Sequence, residues 1–331
     1  MRLRRTILLF LVTGIVSLLS TKWVGGVTIY APEMEAQRLF VHKAVVENYM
    51  PEGRTWDSYG ANALNIRIAV PYAVDAIHRT TGVGILRLYQ TIDLVCIFVF
   101  LNLYFLYLRR WFDWTWCALA MLFMAALLPM TYLFHGFHGW DRPSCVLWIL
   151  LLILLRDMRL VPFTALLVLS VFVKFDTMLL PLLHWLYRVT RARFWRTSLE
   201  TAALFALTFG IYSGLQRLLP GGVEARDYAG YVIGNTRSFL VHHVTFPPLL
   251  MFGLPVLLAL FGWREGDRFQ RSAALFAVPM VAILYVMTNF IEVRAEMAVF
   301  FLLSPLALVG LRRMTGVEPA TAGGGLGGQP A

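Results

Sequence analysis

Two glutamates stand directly beyond the first apolar stretch of the chain, in the sequence "APEME" (31–35). Pro32 favours the start of a helix, and Glu33 and Glu35 then lie in the first turn, where carboxylates stabilise the positive end of the helix dipole. A carboxylate at a membrane boundary is equally suited to removing a proton from an acceptor hydroxyl, because general-base catalysis needs an ionisable group within hydrogen-bond reach. Glu33 and Glu35 are therefore the candidate catalytic residues, with stabilisation of the helix start as the competing interpretation.

Basic residues near the ends of later apolar segments are candidates for contacts to a phosphate. They are Arg67, Arg142, Lys174 and Arg294. Further carboxylates that are candidates for the same site are Asp57, Asp141, Asp176 and Glu292. Simpler interpretations exist for some of them, because Arg142 fits a helix-end anchor and Lys174 fits an ion pair with Asp176 or Glu292 that stabilises a break between two helices.

The stretch "HGFHGWDRP" (135–143) carries side chains of the kinds that bind metal ions. His135, His138 and Asp141 follow one another at intervals of three residues, and imidazole with carboxylate suits zinc, iron or manganese. Two histidines and one acid are few ligands, and histidine, tryptophan and arginine are common at membrane boundaries. A divalent metal ion is thus the one cofactor that the sequence indicates, on these three residues alone.

Composition predicts the elements that must position these residues. Of the residues, 59% are hydrophobic and 15% are charged, and the mean hydropathy is +0.67, which excludes an ordinary soluble domain. We predict an all-α polytopic membrane protein with about ten transmembrane helices, since helices satisfy their own backbone groups in lipid. The apolar runs are 6–24, 87–108, 112–134, 144–155, 160–174, 176–187, 198–217, 246–263, 272–290 and 296–311.

Two of these runs, 160–174 and 176–187, are too short to span comfortably. As helices they rise about 22 Å and about 18 Å, against a hydrocarbon core of roughly 30 Å. They are therefore candidates for a broken or re-entrant pair, which meets at Lys174 and Asp176.

Arginines determine the predicted orientation in the membrane. The net charge is +10, but the basic residues stand at the ends of apolar runs, so the positive-inside rule explains them better than nucleic-acid binding does. With a cytoplasmic N-terminus every inner connector is basic, and the C-terminus is then cytoplasmic too. These inner connectors contain residues 109–110, 156–159, 188–196, 264–271 and 312–313. The multispanning domain is predicted to be 1–313, followed by a Gly/Pro/Ala-rich, disordered tail, 314–331.

The predicted first outer loop, 25–86, contains two stretches that look like amphipathic helices. These are 32–49 and 65–80, neither of which is long enough to span, so we expect them to lie along the outer membrane surface and to wall a cavity. In the first stretch Arg38 and His42 share a helical face with Glu35, and Val41 lies on the other face.

This layout resembles the membrane glycosyltransferases of the GT-C fold, which take a sugar from a polyprenyl-phosphate carrier on the outer side of the membrane. The similar features are a first span, an acidic motif directly after it ("EME", 33–35), a long first outer loop and many short-looped spans, over roughly residues 1–311. The acidic motif of the family commonly contains an aspartate, which is absent here. The resemblance implies transfer to an envelope lipid, glycan or protein hydroxyl, with Glu33 or Glu35 as the base and the basic candidates neutralising the leaving phosphate.

The partners implied by this resemblance are membrane lipids and a polyprenyl-phosphate-linked sugar, and the implied location is the inner (cytoplasmic) membrane of a bacterium. Two other functions stay open: a transporter or flippase for an anionic or lipid-linked substrate, and a non-catalytic subunit of an envelope-assembly complex. A transporter is expected to carry ionisable residues deep within its spans, whereas here they gather at one boundary, with Asp93 as the exception. No P-loop, GxSxG, HExxH or GxGxxG motif occurs in a usable context, and the charge distribution favours the enzyme.

Overall fold

The computed structural model describes residues 2–27, 31–49, 66–132, 138–219, 228–241, 253–287 and 293–316. Within these ranges the chain forms helices and no strand, which confirms the predicted all-α class for the described residues. In chain order the α-helices are α1 (Arg2–Val27), α2 (Ala31–Glu47), α3 (Ala69–Thr81), α4 (Ile85–Leu108), α5 (Trp114–Leu127), α6 (Asp141–Arg156), α7 (Leu160–Val173), α8 (Leu180–Arg188), α9 (Phe194–Leu218), α10 (Tyr228–Val241), α11 (Leu254–Gly262), α12 (Arg268–Met287) and α13 (Val293–Thr315). Short 3-10 turns lie at Leu128–Tyr132, Phe175–Leu179 and Arg191–Arg193.

Several of these helices are long and apolar enough to cross a membrane. Five such segments are Leu3–Thr21, Ile85–Leu108, Arg191–Leu218, Arg268–Met287 and Glu296–Thr315, and α5 and α7 are shorter apolar helices. Their lengths and compositions indicate a helical membrane protein. Ten crossings stay a prediction. Helices α6 and α8 have only 16 and 9 residues, which is shorter than the roughly 20 residues that a span needs, and α11 is described only from Leu254 onwards.

The predicted inner connectors lie together at one end of the helix bundle, which we call the basic end. Arg110 donates two hydrogen bonds to Asp157, from Nε to Oδ1 at 3.1 Å and from Nη2 to Oδ2 at 2.7 Å. Other contacts between connectors are Trp111 Nε1 to Asp267 Oδ2 (2.6 Å), Arg268 to the carbonyl of Val189, and the Arg312 guanidinium over the Phe112 ring (5.9 Å). The grouping of the basic connectors on one side of the protein agrees with these contacts, and their assignment to the cytoplasm stays a prediction.

Apolar packing divides between two clusters. The larger one, the main core, contains buried side chains of α4 to α8 and of α11 to α13, among them Trp148, Phe163 and Phe301. The smaller one, which we call the upper cluster, consists of Val41, Val45, Val70, Val74, Leu88, Tyr89, Trp140 and Val173. Its members come from α2, α3 and the ends of α4, α6 and α7 that lie farthest from the basic end. The helices α2 and α3 therefore rest on the end of the bundle opposite the basic end.

Both helices predicted in the first outer loop are present, although α2 is not the amphipathic helix that the sequence indicated. α3 buries one face, which includes Val70 and Val74, and exposes the other. In α2 the side chains of Arg38 and His42 are buried together with Val41, so polar and apolar residues share the buried surface. The difference arises because α4 offers polar partners to α2. That either helix lies on a membrane surface stays a prediction.

Candidate functional site

The centre of the candidate site is the junction between α7 and α8. α7 ends at Val173, and Lys174 adopts an extended backbone (φ −161°, ψ 123°) before the 3-10 turn Phe175–Leu179. The Lys174 side chain is only 11% exposed, and its Nζ lies 3.3 Å from Asp141 Oδ1 and 3.4 Å from Asp176 Oδ2. The predicted pair with Asp176 is therefore present, and Asp141 of α6 is a second partner. Glu292, the other predicted partner, lies outside the described residues.

Arg67 lies beside this junction, between two aromatic rings. Its guanidinium carbon is 5.0 Å from the centre of the Trp140 ring and 5.2 Å from the centre of the Phe175 ring. On the other side of the junction, Trp148 Nε1 donates a hydrogen bond to Asp176 Oδ1 at 3.3 Å. Cation–π attraction orients the guanidinium between these rings, which belong to residues next in sequence to Asp141 and Lys174, so that Arg67 is attached to the junction through two separate connections.

Arg142 is buried in the first turn of α6 and joins that helix to its neighbours. It donates a hydrogen bond from Nη2 to Thr131 Oγ1, in the 3-10 turn that follows α5. Arg142 and Asp141 are both close enough to Asp93 of α4 to act on it electrostatically. With an exposed fraction of 3%, Arg142 is inside the protein and does not match the predicted helix-end anchor, which would reach the membrane boundary.

Two polar contacts attach α2 to α4. Arg38 Nη2 lies 3.1 Å from Asp93 Oδ2, and both side chains are buried. One turn farther along α2, His42 Nδ1 lies 3.1 Å from the Tyr89 hydroxyl, with the two rings edge to face. Burial of the ring lowers the pKa of His42, so the imidazole is neutral at pH 7. The contacts fix the register of α2 on the bundle.

These contacts form what we call the ion-pair layer: Arg38, Asp93, Asp141, Lys174 and Asp176. Asp93 on α4, Asp141 on α6 and Lys174 after α7 each lie about 22 Å from the basic end, measured at 1.5 Å per residue along their own helices. A hydrocarbon core is roughly 30 Å thick, so the layer lies within that thickness when the basic end is at one interface. The layer therefore lies where α2, which carries Arg38, meets the ends of α4, α6 and α7 that are farthest from the basic end.

Two members of this layer, Asp93 and Arg38, were not among the predicted site residues. Asp93 was noted only as an exception to the charge distribution, and Arg38 only as part of a helical face. A usable signal was present, because an aspartate inside the apolar helix α4 requires a cationic partner, and an intramembrane acid marks a functional site by default. A further buried carboxylate is Glu296, 1% exposed, at the start of α13, which packs against α6 and the turn that holds Thr131.

The predicted bases are only partly described. Glu35 is exposed near the start of α2, on the helical face that also carries Arg38 three residues later. Glu33 belongs to helix α2 and Arg294 to helix α13, but their side chains lie outside the part of the protein that the structure describes. Asp57 and His135 lie wholly outside the described residues. The structure thus brings Arg67, Asp141, Arg142, Lys174 and Asp176 together, whereas Glu35 is exposed near the start of α2.

The predicted metal site stays a prediction. Among the described residues no group of three His, Cys, Asp or Glu side chains is arranged to hold a metal ion. His138 is buried and its ring centre lies 5.0 Å from that of Trp140, while Asp141 is engaged by Lys174. His135, the third member of the predicted trio, lies outside the described residues.

Comparisons with protein-family models, with curated proteins and with solved structures find no match to this chain. The residues of the site themselves therefore indicate its chemistry. They combine two cations, Lys174 and Arg67, with aromatic rings and with carboxylates, at the end of the bundle on which α2 and α3 pack. Cations and aromatic faces are the groups that bind a phosphate next to a sugar, and the carboxylates are the groups that accept a proton.

Proposed function

We propose that the protein is a membrane glycosyltransferase of the GT-C type that moves a sugar from a polyprenyl-phosphate donor to an envelope lipid, glycan or protein. In this reaction the oxygen of an acceptor hydroxyl forms a bond to the anomeric carbon of the sugar. The bond between that carbon and the phosphate oxygen breaks, and the polyprenyl phosphate leaves with the bonding electrons. The proton of the hydroxyl passes to a carboxylate of the enzyme.

The observation that supports this proposal most directly is the position of Lys174 and Arg67. Asp141 and Asp176 hold the ammonium, and Trp140 and Phe175 hold the guanidinium, before any ligand arrives. Charges that are fixed in advance where a leaving phosphate develops its second negative charge lower the barrier without reorganisation. A buried level about 22 Å from the basic end is also within reach of a donor whose prenyl chain lies in the bilayer.

The proposed base is Glu35 or Glu33, near the start of α2. Glu35 is exposed, so an acceptor hydroxyl approaching from outside reaches it before the buried carboxylates. Asp141 and Asp176 are both occupied by Lys174 and are weaker candidates for this reason. In this proposal α2 presents the base at the entrance, and the junction after α7 binds the phosphate.

The ion-pair layer also supports a second function, a transporter or flippase for an anionic or lipid-linked substrate. Ionisable residues well inside a membrane bundle, next to a break between two short helices, are typical of transporter sites. Arg38 and Asp93 on adjacent helices, and Lys174 at the break between α7 and α8, have this character. The exposed Glu35 and the stacked Arg67 have no equivalent role in transport, and for this reason we favour the transferase.

Transfer is tested with the full chain in lipid vesicles, supplied with a panel of polyprenyl-phosphate-linked hexoses and pentoses, by measuring release of polyprenyl phosphate. Glu35→Gln should lower the turnover about a hundredfold, since it removes the base and keeps the size of the side chain. Glu47→Gln, at the other end of the same helix and also exposed, is the matched control and should be silent. Lys174→Met should raise the donor concentration needed for half-maximal rate.

Three results discriminate between the functions. Full activity of both Glu35→Gln and Glu33→Gln would move the base to another carboxylate, with Asp57 and Asp141 next to be tested. Movement of the donor between leaflets without release of polyprenyl phosphate would favour the flippase. Absence of both activities, for every donor in the panel and in a folded protein, would reject the transferase and the flippase together.

A further inference from the structure

A groove at the basic end lies far from the candidate functional site. Its lining residues are Leu260, Phe261, Arg264, Arg313 and Met314. The apolar members are open to the surroundings, with exposed fractions of 64% for Leu260 and 54% for Phe261. Leu257, one turn back along α11, is also exposed and extends the apolar strip towards the middle of the bundle. The groove therefore joins an apolar strip on the outside of a helix to two arginines at the helix end.

The floor of the groove is rigid because α11 and α13 touch through their backbones. A Cβ atom added to Gly262 would lie 2.5 Å from the carbonyl oxygen of Leu306, and one added to Gly310 would overlap the carbonyl of Leu258. Glycine at both positions permits this close approach, as small residues do between membrane helices. Arg313 lies on α13 and Arg264 in the turn directly after α11, so both arginines flank this close contact between the two helices.

The two arginines at the mouth of the groove have hydrogen-bond donors and positive charge that their contacts with the described residues do not use up. Arg313 Nε lies 3.3 Å from Glu265 Oε1, and its Nη1 donates to the Phe261 carbonyl at 3.1 Å, so Nη2 takes part in neither of these two contacts. Arg264 is exposed and makes no ion pair with any residue in the described part of the chain. The charge of Arg264 is thus uncompensated, whereas that of Arg313 is shared with Glu265.

We propose that this groove binds one anionic phospholipid. The headgroup phosphate lies on Arg264 and Arg313, and an acyl chain follows the exposed strip of Leu260 and Leu257 along α11. An anionic lipid is favoured over a zwitterionic one because the mouth carries an uncompensated positive charge, and the basic end gathers the other connector arginines around it. A free phosphate ion would use the arginines and gain nothing from the strip. The proposal requires the chain to lie in a membrane and does not depend on the transferase function.

The test uses the full chain purified in detergent, titrated with phosphatidylglycerol or phosphatidylcholine, with bound lipids counted by native mass spectrometry. We expect one phosphatidylglycerol to bind preferentially, and Arg264→Gln to weaken its binding about fivefold, the equivalent of about 1 kcal/mol for one basic residue at an anionic surface. The matched control is Arg193→Gln, which removes an exposed arginine at the same end but outside the groove, and it should leave binding unchanged. Leu260→Asn should also weaken binding, because it interrupts the apolar strip.

Three outcomes would overturn the proposal. Equal binding of phosphatidylglycerol and phosphatidylcholine would show that the arginines do not select a lipid by its charge. An equal loss in Arg264→Gln and Arg193→Gln would show a general basic surface without a defined site. Competition by inorganic phosphate at concentrations similar to those of the lipid, with no effect of Leu260→Asn, would identify a free anion site.

Discussion

Replacing Lys174 by methionine tests the ion-pair layer directly, since methionine keeps an unbranched apolar stem and removes the charge. At 3.3 Å and an effective dielectric constant of about 20, one pair of unit charges attracts by about 5 kcal/mol. Desolvation of the three groups offsets much of this attraction. Removal of one partner from a buried pair costs about 3–5 kcal/mol, because Asp141 and Asp176 then lose the ammonium that lies between them. We expect Lys174→Met to lower the free energy of unfolding by this amount.

A double-mutant cycle separates this interaction from general damage. Asp141→Asn removes one of the two carboxylate charges that pair with Lys174, so Lys174→Met combined with Asp141→Asn should cost less than the sum of the two single changes, by about 2 kcal/mol. Unfolding is followed by tryptophan fluorescence during titration of mixed micelles with a denaturing detergent. Lys43→Met, which replaces an exposed lysine on α2, is the control and should change the free energy of unfolding by less than about 0.5 kcal/mol. Additive costs, or a Lys174→Met protein as stable as the control, would refute the coupling inferred from the distances.

Three other predictions concern packing, pH and orientation. Gly310→Ala should destabilise the protein by more than about 2 kcal/mol in thermal unfolding, because its Cβ overlaps the Leu258 carbonyl, whereas Gly214→Ala in α9, with nothing within 4 Å, should be neutral or stabilising. The hydrogen bonds from Arg110 lower the pKa of Asp157 below 3.8. The charged carboxylate therefore stabilises the fold above that pH, and this contribution is lost as the pH falls through the pKa of the folded state. Asp157→Asn should flatten the acid side of a plot of stability against pH, and an unchanged plot would contradict this. Cysteines introduced into the first outer loop and into the C-terminal tail should react with impermeant reagents from opposite sides of the membrane, and labelling of both from one side would reject the topology.

Sequence alone predicted the features that depend on local composition. Apolar runs bounded by arginines indicated the helices and the grouping of the basic connectors, because the cost of burying charge in lipid acts on each segment separately. The break at Lys174 was likewise predictable, since two runs of insufficient length meet there. Lys174 and Asp176 are only two residues apart, and their pairing required no knowledge of the fold.

Contacts between distant segments were not predictable in the same way. Asp141 lies on α6 and Lys174 follows α7, so their pairing depends on how two short helices are staggered. The partner of Asp93 is Arg38, which periodicity assigned to a polar face of α2 without indicating that α4 would cover that face. Helical periodicity tells which residues share a face, whereas the identity of the opposing helix comes from the packing of the whole bundle.

The upper cluster is separate from the main core and contains far fewer buried side chains, so less free energy holds α2 and α3 in place than holds the main bundle together. Detachment of α2 and α3 exposes the few side chains of the upper cluster and breaks the contacts of Arg38 and His42 with α4, while the main core stays closed. Amide hydrogens of α2 and α3 should therefore exchange through local unfolding, at a lower free energy than those of α4 or α13.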